Sequence, residues 1–154
     1  MTAYAADVGD ELVSDELDTL SARDLLAAVN ASAGALAHTM GIAFHEVSVD
    51  RLVATMPVEG NTQPYGLLHG GASCVLAESL ATTGAALHAG QDRIAVGVDI
   101  NATHHRAVRE GLLTGVAVPL HLGRTVATYE VVISNEAGAR ICTARVTCAL
   151  RASA

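Results

Sequence analysis

Residues 70–88 form an almost unbroken run of small and apolar side chains, and this run constrains the fold more than any other part of the chain. The run is about five helical turns long and predicts a helix that is apolar on all sides, which is normally buried. Between Gly70 and Leu87 its only ionisable side chain apart from Cys74 is Glu78. A buried carboxylate is unfavourable unless it is paired, hydrogen-bonded or neutralised. Glu78 therefore either lies on a solvent-facing stripe of the helix, or caps a neighbouring group, or has a function.

The helical spacing places two further polar side chains on the same face as this acid. Cys74 precedes Glu78 by four residues and Thr82 follows it by four, so all three share one face of the helix. A carboxylate with a hydroxyl one turn along is an arrangement that suits acid–base or nucleophilic chemistry.

The start of the same helix is a second candidate element. Gly70 and Gly71 carry no side chains that would shield the first free backbone N–H groups, and a helix amino end carries a partial positive charge. Such donors suit the oxyanion that develops when a carbonyl is attacked. His69 and Gln63 could orient or polarise the same carbonyl. Two alternatives remain open: the glycines only permit a tight turn into the helix, and the two polar side chains are ordinary loop residues.

The separation of the two elements predicts how they could act together. Gly70 and Glu78 are eight residues apart in the sequence, which is roughly 12 Å along one helix. A reacting carbonyl must lie about 3 Å from both its donor and its base. If both groups act on one carbonyl, Glu78 must come from a second subunit whose helix runs antiparallel to the first, as a two-fold dimer allows.

The remaining segments predict an α+β fold in which helices cover one face of an antiparallel sheet. An amphipathic helix begins at an N-cap, Ser21, and ends near Gly41, and a hairpin that turns near Val49 and Asp50 follows it. Four strands come after the long helix: "RIAVGVDINATHH", "GLLTGVAVPLHL", "TVATYEVVIS" and "ARICTARVTCALR". Residues 1–19 read as an acidic, flexible leader, and residues 20–154 as one domain.

Composition excludes several classes of protein. The net charge is −7, all nine basic residues are Arg, and aromatic residues make up 3%, which argues against nucleic-acid binding. No segment reaches the roughly 20 apolar residues that a membrane span needs. The acidic first residues do not resemble a signal peptide, which predicts a cytoplasmic protein with three reduced cysteines. An anionic ligand still fits this chain if arginines are concentrated locally.

The sequence resembles the hotdog-fold acyl-CoA thioesterases, and it is most similar to their aromatic acyl-CoA branch. This branch includes 4-hydroxybenzoyl-CoA, 1,4-dihydroxy-2-naphthoyl-CoA and phenylacetate-degradation thioesterases, and the proofreading thioesterases of enterobactin synthesis are near relatives. The matching segments are "RLVATMPV", "QPYGLLHGGASCVLAES", "VGVDINATHHRAVREG", "HLGRT" and "ARVTCAL", which together span residues 51–149. The spacing H-G-G-x-x-x-x-x-x-E is their most specific element. The fold that the resemblance implies is an antiparallel sheet wrapped around a long central helix.

The resemblance also implies roles for individual residues. Glu78 matches the catalytic acid, which acts as nucleophile or general base, and the Gly70 N–H matches the donor that polarises the thioester carbonyl. Gln63 and His69 match residues that position the carbonyl and the leaving thiol, and Thr82 matches a hydroxyl that orients water. The positions that match pantetheine and nucleotide contacts are Gly97, His104, His105, Arg106, His121, Gly123, Arg124 and Thr125. Arg124 departs from the small polar residue that close relatives can carry there.

The predicted activity is hydrolysis of an acyl-CoA, with an aromatic acyl group, to the free acid and CoA. The resemblance implies no metal and no cofactor besides the CoA of the substrate, and a homodimer that assembles into a homotetramer. The alternatives are a non-catalytic acyl-CoA-binding or regulatory protein and a hotdog dehydratase. A zinc site at His104 and His105 lacks further spaced ligands, and a nucleophilic Cys74 has the wrong helical phase to share a face with His69.

Overall fold

The computed structural model describes residues 21–153, so the predicted leader lies outside the described residues. The helices are α1 (Ala22–Ala31), α2 (Gly34–Thr39) and α3 (Gly70–Ala89). The strands are β1 (Ala43–Val47), β2 (Leu52–Pro57), β3 (Arg93–His104), β4 (Leu112–Leu122), β5 (Val126–Ser134) and β6 (Arg140–Ala152). The predicted hairpin, long helix and four later strands are all confirmed.

The six strands form one antiparallel sheet, in the order β1-β2-β4-β5-β6-β3. Helix α3 packs against five of these strands, from β2 to β3, on one face of the sheet. This is the sheet around a long central helix that the resemblance implies. The chain reverses after α3, so β3 runs back beside the helix and its end at His104 lies near the start of α3.

Helix α3 lies close to the sheet because small residues separate its large ones. Leu76 and Leu80 are fully buried, and a side chain at Gly84 would collide with Tyr129 and Leu52. The hydroxyl of Tyr129 donates to the carbonyl of Val49 at 3.0 Å, which satisfies a polar group in the core. The face of α3 that contacts the sheet is buried, whereas its opposite face is half-buried or exposed in the described chain, so the expected burial on all sides holds for one face only.

The predicted amphipathic helix is two helices rather than one. Ser21 caps α1 as expected, since its Oγ accepts from the Asp24 N–H at 3.2 Å. The helix ends early because the Ser32 hydroxyl donates to the carbonyl of Ala28 at 2.8 Å and Gly34 has φ of 83°. Helix α2 still ends near Gly41, where the end of the single helix is predicted, but a turn separates α2 from α1.

Strand β3 is an edge of the sheet with an unusual amount of exposed apolar surface. Its partner on one side is β6, and on the other side no strand of the described chain pairs with it. Four of its side chains are large, hydrophobic and at least one-third exposed: Ile94, Val96, Val98 and Ile100. The strand pairing is irregular between Gly97 and Asp99, where Val98 forms a bulge. Natural proteins cover long apolar edges of this kind.

Candidate active site

The start of α3 is fixed by hydrogen bonds that involve its N-cap residue, His69. The Nδ1 atom of His69 accepts from the Gly71 N–H at 2.8 Å, and the His69 N–H donates to the carbonyl of Asn61 at 2.9 Å. The buried Asn61 side chain in turn donates to the carbonyls of Met40 and Pro57, both at 2.9 Å. These contacts anchor the loop before the helix to β2 and to the end of α2.

This arrangement leaves two donors available at the helix start. The Gly70 N–H has no acceptor among the residues that the structure describes. Because Nδ1 of His69 accepts a hydrogen bond, the proton of the neutral ring is on Nε2, which is a second donor on an exposed side chain. The geometry therefore supports polarisation of a carbonyl at this end of α3.

A cavity of about 340 Å³ opens beside Gly70. It is lined by Leu67, Leu68, Gly70, Ser73, His104, His105, Arg106, Ala107 and Ile141. The His104 ring lies so close that a Cβ at Gly70 would be 2.9 Å from its Nε2 atom. A side chain at position 70 would therefore displace the His104 ring. The His105 ring is held by the Thr143 hydroxyl at 2.9 Å, while Arg106 is exposed at the rim.

Glu78 faces a different cleft, of about 230 Å³, which is lined by Gly97, Val98, Asp99 and Ile100 of β3. In the described chain the Glu78 side chain is exposed, and it lies on the face of α3 that the sheet does not bury, beside the half-buried Cys74 and Thr82. Its carboxylate lies directly against the backbone of Gly97, where an added Cβ would overlap it. The Thr82 hydroxyl donates to the backbone carbonyl of Glu78 at 2.6 Å. The hydroxyl oxygen of Thr82 can therefore take part in a further hydrogen bond only as an acceptor.

Cys74 is not equipped to act as a nucleophile. Burial, and then the charge of Glu78 one turn away, raise the pKa of its thiol above the ordinary value. The thiolate is the reactive form of cysteine, and here it is disfavoured. Glu78 is therefore the better candidate for the attacking group or base on this face of α3.

Apart from Gly97, which lies against Glu78, the predicted ligand-binding residues fall into two separate groups. His104, His105 and Arg106 lie beside Gly70, whereas the segment 121–125 lies at the opposite end of α3. There the His88 ring contacts the carbonyl of Gly123 at 2.9 Å, and the Arg93 guanidinium donates to the carbonyl of Arg124. His88 is eighteen residues after Gly70, or roughly 27 Å along the helix axis.

Gln63 lies in the loop before α3, where its backbone closes a turn through Leu67 and Gly66. Its side-chain amide makes no hydrogen bond within residues 21–153, and it is not among the residues that line the cavity beside Gly70. The sequence did not single out Asn61, His88 or Arg93, which anchor the two loops. Two sequence signals could have suggested the first two of these residues. One is an Asn in a Gly- and Pro-containing loop, and the other is a His in the last turn of a helix.

No group of three His, Cys, Asp or Glu side chains that could hold a metal ion occurs in the described part of the chain. None of its helices is long and apolar enough to cross a membrane.

Comparisons with known proteins match the part of the chain that contains these residues. The sequence profile of the Thioesterase superfamily matches residues 65–142, which include the helix start, Glu78, β3 and β4. The proofreading thioesterase EntH of Cronobacter sakazakii is 46% identical over 127 residues, covering 81% of this chain and 93% of that protein.

Two crystal structures of thioesterases are similar along almost the whole fold. Thioesterase PA1618 from Pseudomonas aeruginosa has a TM-score of 0.78 at 39% identity and covers 83% of this chain and 94% of its own. Thioesterase HI1161 from Haemophilus influenzae has a TM-score of 0.77 at 32% identity, with 86% and 92% covered. The chain therefore belongs to the thioesterase superfamily, and it is a hotdog-fold thioester hydrolase.

Proposed function

We propose that the protein hydrolyses an aromatic acyl-CoA to the free acid and CoA, at a site that two copies of the chain build together. The observation that carries this proposal is that the Gly70 N–H and the Glu78 carboxylate open into separate clefts on one helix. The Gly70 donor stabilises the negative charge on the carbonyl oxygen. Glu78 either attacks the carbonyl carbon or takes a proton from the attacking water. The C–S bond then breaks, and the CoA thiolate leaves and is protonated. If Glu78 is the nucleophile, this step leaves a mixed anhydride, which a water molecule hydrolyses to the free acid and the restored carboxylate.

The exposed edge strand β3 supports the proposal that a second copy of the chain takes part. Its unpaired backbone groups and its apolar side chains would be covered if β3 of one copy paired antiparallel with β3 of the other. The helices α3 would then run antiparallel across the two-fold axis. Such an arrangement is the one that the distance between Gly70 and Glu78 requires.

The contacts within one chain suggest a register for this pairing. Glu78 lies against Gly97, and Gly70 lies against His104, so the two groups meet when Gly97 of one copy is opposite the His104 position of the other. The bulged residue Val98 does not count as a step in the register, so Asn101 lies midway between Gly97 and His104. The two-fold axis would then pass next to Asn101, with that residue opposite its own counterpart.

The same register explains the split between the two groups of predicted ligand-binding residues. It places the segment 104–106 of one copy beside the Arg93 end of the other copy's β3. The loop 121–125 is anchored at that end through Arg93 and His88. The two groups would thus join across the interface into one basic surface for the CoA phosphates, although the chain is acidic overall.

An aromatic acyl group fits the apolar side of the cavity beside Gly70. Leu67, Leu68 and Ile141 line this side, and the basic residues stand at the rim. The resemblance to the aromatic acyl-CoA branch supports the same choice of substrate class.

The direct test is release of free thiol from a panel of benzoyl-, naphthoyl-, phenylacetyl- and aliphatic CoA esters. We expect the aromatic esters to have the highest kcat/KM. Glu78→Gln should keep the fold and lower kcat by about 10²–10⁴-fold, the typical contribution of a general base. Near-normal turnover by the Gln variant would exclude this role for Glu78, and a preference for aliphatic esters would exclude the aromatic assignment.

A further inference from the structure

The hydroxyl of Ser73 is buried and has no hydrogen-bond partner in the part of the chain that the structure describes. Ser73 is 0% exposed, and its Oγ is the only buried side-chain nitrogen or oxygen in residues 21–153 that lacks a partner. Leaving a buried hydroxyl unsatisfied is unfavourable, and native proteins rarely do so without a reason. Alanine would fill this position on an apolar helix equally well, so the hydroxyl calls for a partner other than the described residues.

Ser73 lines the same cavity as Gly70, one helical turn further into the molecule. Three residues separate them, which is roughly 4.5 Å along the axis. Arg106 at the rim is exposed, whereas Ser73 is fully buried, so the hydroxyl lies on the inner side of the cavity. A thioester carbonyl held at the Gly70 N–H, with its CoA directed to the basic rim, would direct its acyl group towards Ser73.

The surroundings of Ser73 on this inner side are apolar. Among the residues that line the cavity, Ile141 is buried and Leu68 half-buried, whereas the polar ones besides Ser73 are exposed. Neither Leu68 nor Ile141 can donate or accept a hydrogen bond through its side chain. A ligand that satisfies Ser73 therefore needs an apolar body that carries a single polar atom. A hydroxylated aromatic ring has this composition.

We propose that Ser73 is a specificity-determining residue that hydrogen-bonds a hydroxyl group on the acyl moiety. This inference rests on the proposed function, because it places the acyl group in the cavity beside Gly70. It adds a selection within the aromatic class: the enzyme favours a hydroxylated ring over the unsubstituted one.

The test compares benzoyl-CoA with its 2-, 3- and 4-hydroxy derivatives in the wild-type enzyme and in Ser73→Ala. The readout is the kcat/KM of each hydroxylated ester divided by that of benzoyl-CoA. A ring hydroxyl changes the intrinsic reactivity of the thioester, but this effect cancels when the ratio is compared between the two proteins. We expect Ser73→Ala to lower the ratio about tenfold for at least one isomer, the effect of losing one buried hydrogen bond, with little change for benzoyl-CoA.

Ser79→Ala is the matched control, because it makes the same chemical change on the same helix at a position that does not line the cavity. It should leave all the ratios unchanged. Ser73→Cys, which keeps the size but donates weakly, should behave like Ser73→Ala and replaces it if the alanine variant does not fold. The inference would be overturned if Ser73→Ala changed kcat/KM equally for all four esters, as loss of a bound water would. It would also be overturned if kcat/KM changed for none of them.

A second measurement separates this inference from the proposed function. Thioether analogues of the same four esters cannot be hydrolysed, and their dissociation constants can be measured by calorimetry. If the wild-type protein hydrolyses none of the esters, the proposed function fails. In that case the ratios of the dissociation constants, compared between the wild-type protein and Ser73→Ala, still test the role of Ser73. If no analogue binds, the inference about Ser73 is wrong.

Discussion

The carboxylate of Glu78 lies against the backbone of Gly97, at a point where the smallest possible side chain would collide with it. The acid on α3 and the glycine on β3 therefore depend on each other. The contact fixes where Glu78 points along the exposed edge strand, and so where a second copy must place its carbonyl-binding end.

Gly97→Ala should displace the Glu78 carboxylate without unfolding the protein, because φ at Gly97 is not in the left-handed region. A displacement of about 1 Å can lower a rate about 10²-fold, so we expect kcat to fall by about that factor and KM to change little. Ala95→Ser, at the preceding helix-facing position of β3, serves as the control and should retain activity. Normal kcat in Gly97→Ala, together with an unchanged melting temperature, would show that the position of Glu78 is not critical.

Arg106→Ala and Arg124→Ala should each raise KM for the CoA ester about fivefold and leave kcat nearly unchanged. Both remove a contact to phosphate that the ground state and transition state share, and both side chains are exposed. The effect should diminish at high salt, because exposed charges are screened. Arg23→Ala on α1 removes the same charge far from either group and should not alter KM. If KM is the same in all three variants, the phosphates bind elsewhere.

Asn101→Cys should form a disulfide between two copies under mild oxidation. The register proposed for β3 places residue 101 opposite its own counterpart, where the two Cβ atoms of an antiparallel pair are about 4.5–5.5 Å apart. Thr103→Cys, two residues along the same face of β3, should cross-link far less efficiently. Non-reducing electrophoresis measures the difference, and equal or reversed efficiencies would contradict the register.

The protein should lose stability as the pH rises from about 9 to 11. Burial raises the pKa of the Cys142 and Cys148 thiols from 9.0 to about 11, and that of Tyr129 from 10.0 to about 12. Below pH 9 both the folded and unfolded states keep these protons. Above it the unfolded state releases them first, which favours unfolding. The urea midpoint at constant protein concentration should fall over this range, and less steeply in Cys148→Ala. A midpoint that is constant or rises up to pH 11 would contradict this account.

The sequence predicts the elements of this fold well because their patterns are local. The apolar run fixed α3, and the alternation of side chains and turn residues identified the six strands. The break between α1 and α2 was missed, since it depends on φ at Gly34 and on a side-chain bond from Ser32 that compete with the helical pattern. Helical spacing also indicated that Gly70 and Glu78 cannot meet within one chain, which agrees with their two separate clefts.

Contacts between residues that are far apart in the chain could not be predicted from the sequence. Nothing in the local pattern shows that β3 pairs with β6, so neither the edge position of β3 nor the contact between Glu78 and Gly97 could be predicted. Local patterns also do not predict that residues 104–106 and 121–125 lie at opposite ends of α3. The Ser73 hydroxyl lacks a partner among residues 21–153 because of its burial and the directions of its neighbours, which only three-dimensional packing determines.

The shared site can be tested most directly by mixing two inactive proteins. One carries Glu78→Ala, and the other carries Gln63→Ala with His69→Ala, which damages the donor side. In a mixed dimer with shared sites, one site receives both lesions and the other receives neither. If each chain instead built its own site, every site in the mixture would carry a lesion.

The two proteins are unfolded and refolded together, and thiol release is measured beside each protein refolded alone. Random reassortment makes about half of the dimers mixed, so we predict activity rising towards about a quarter of the wild-type value while each parent stays inactive. Mixed dimers that are confirmed by mass spectrometry but show no activity would mean that Glu78 and the Gly70 donor do not meet across the interface.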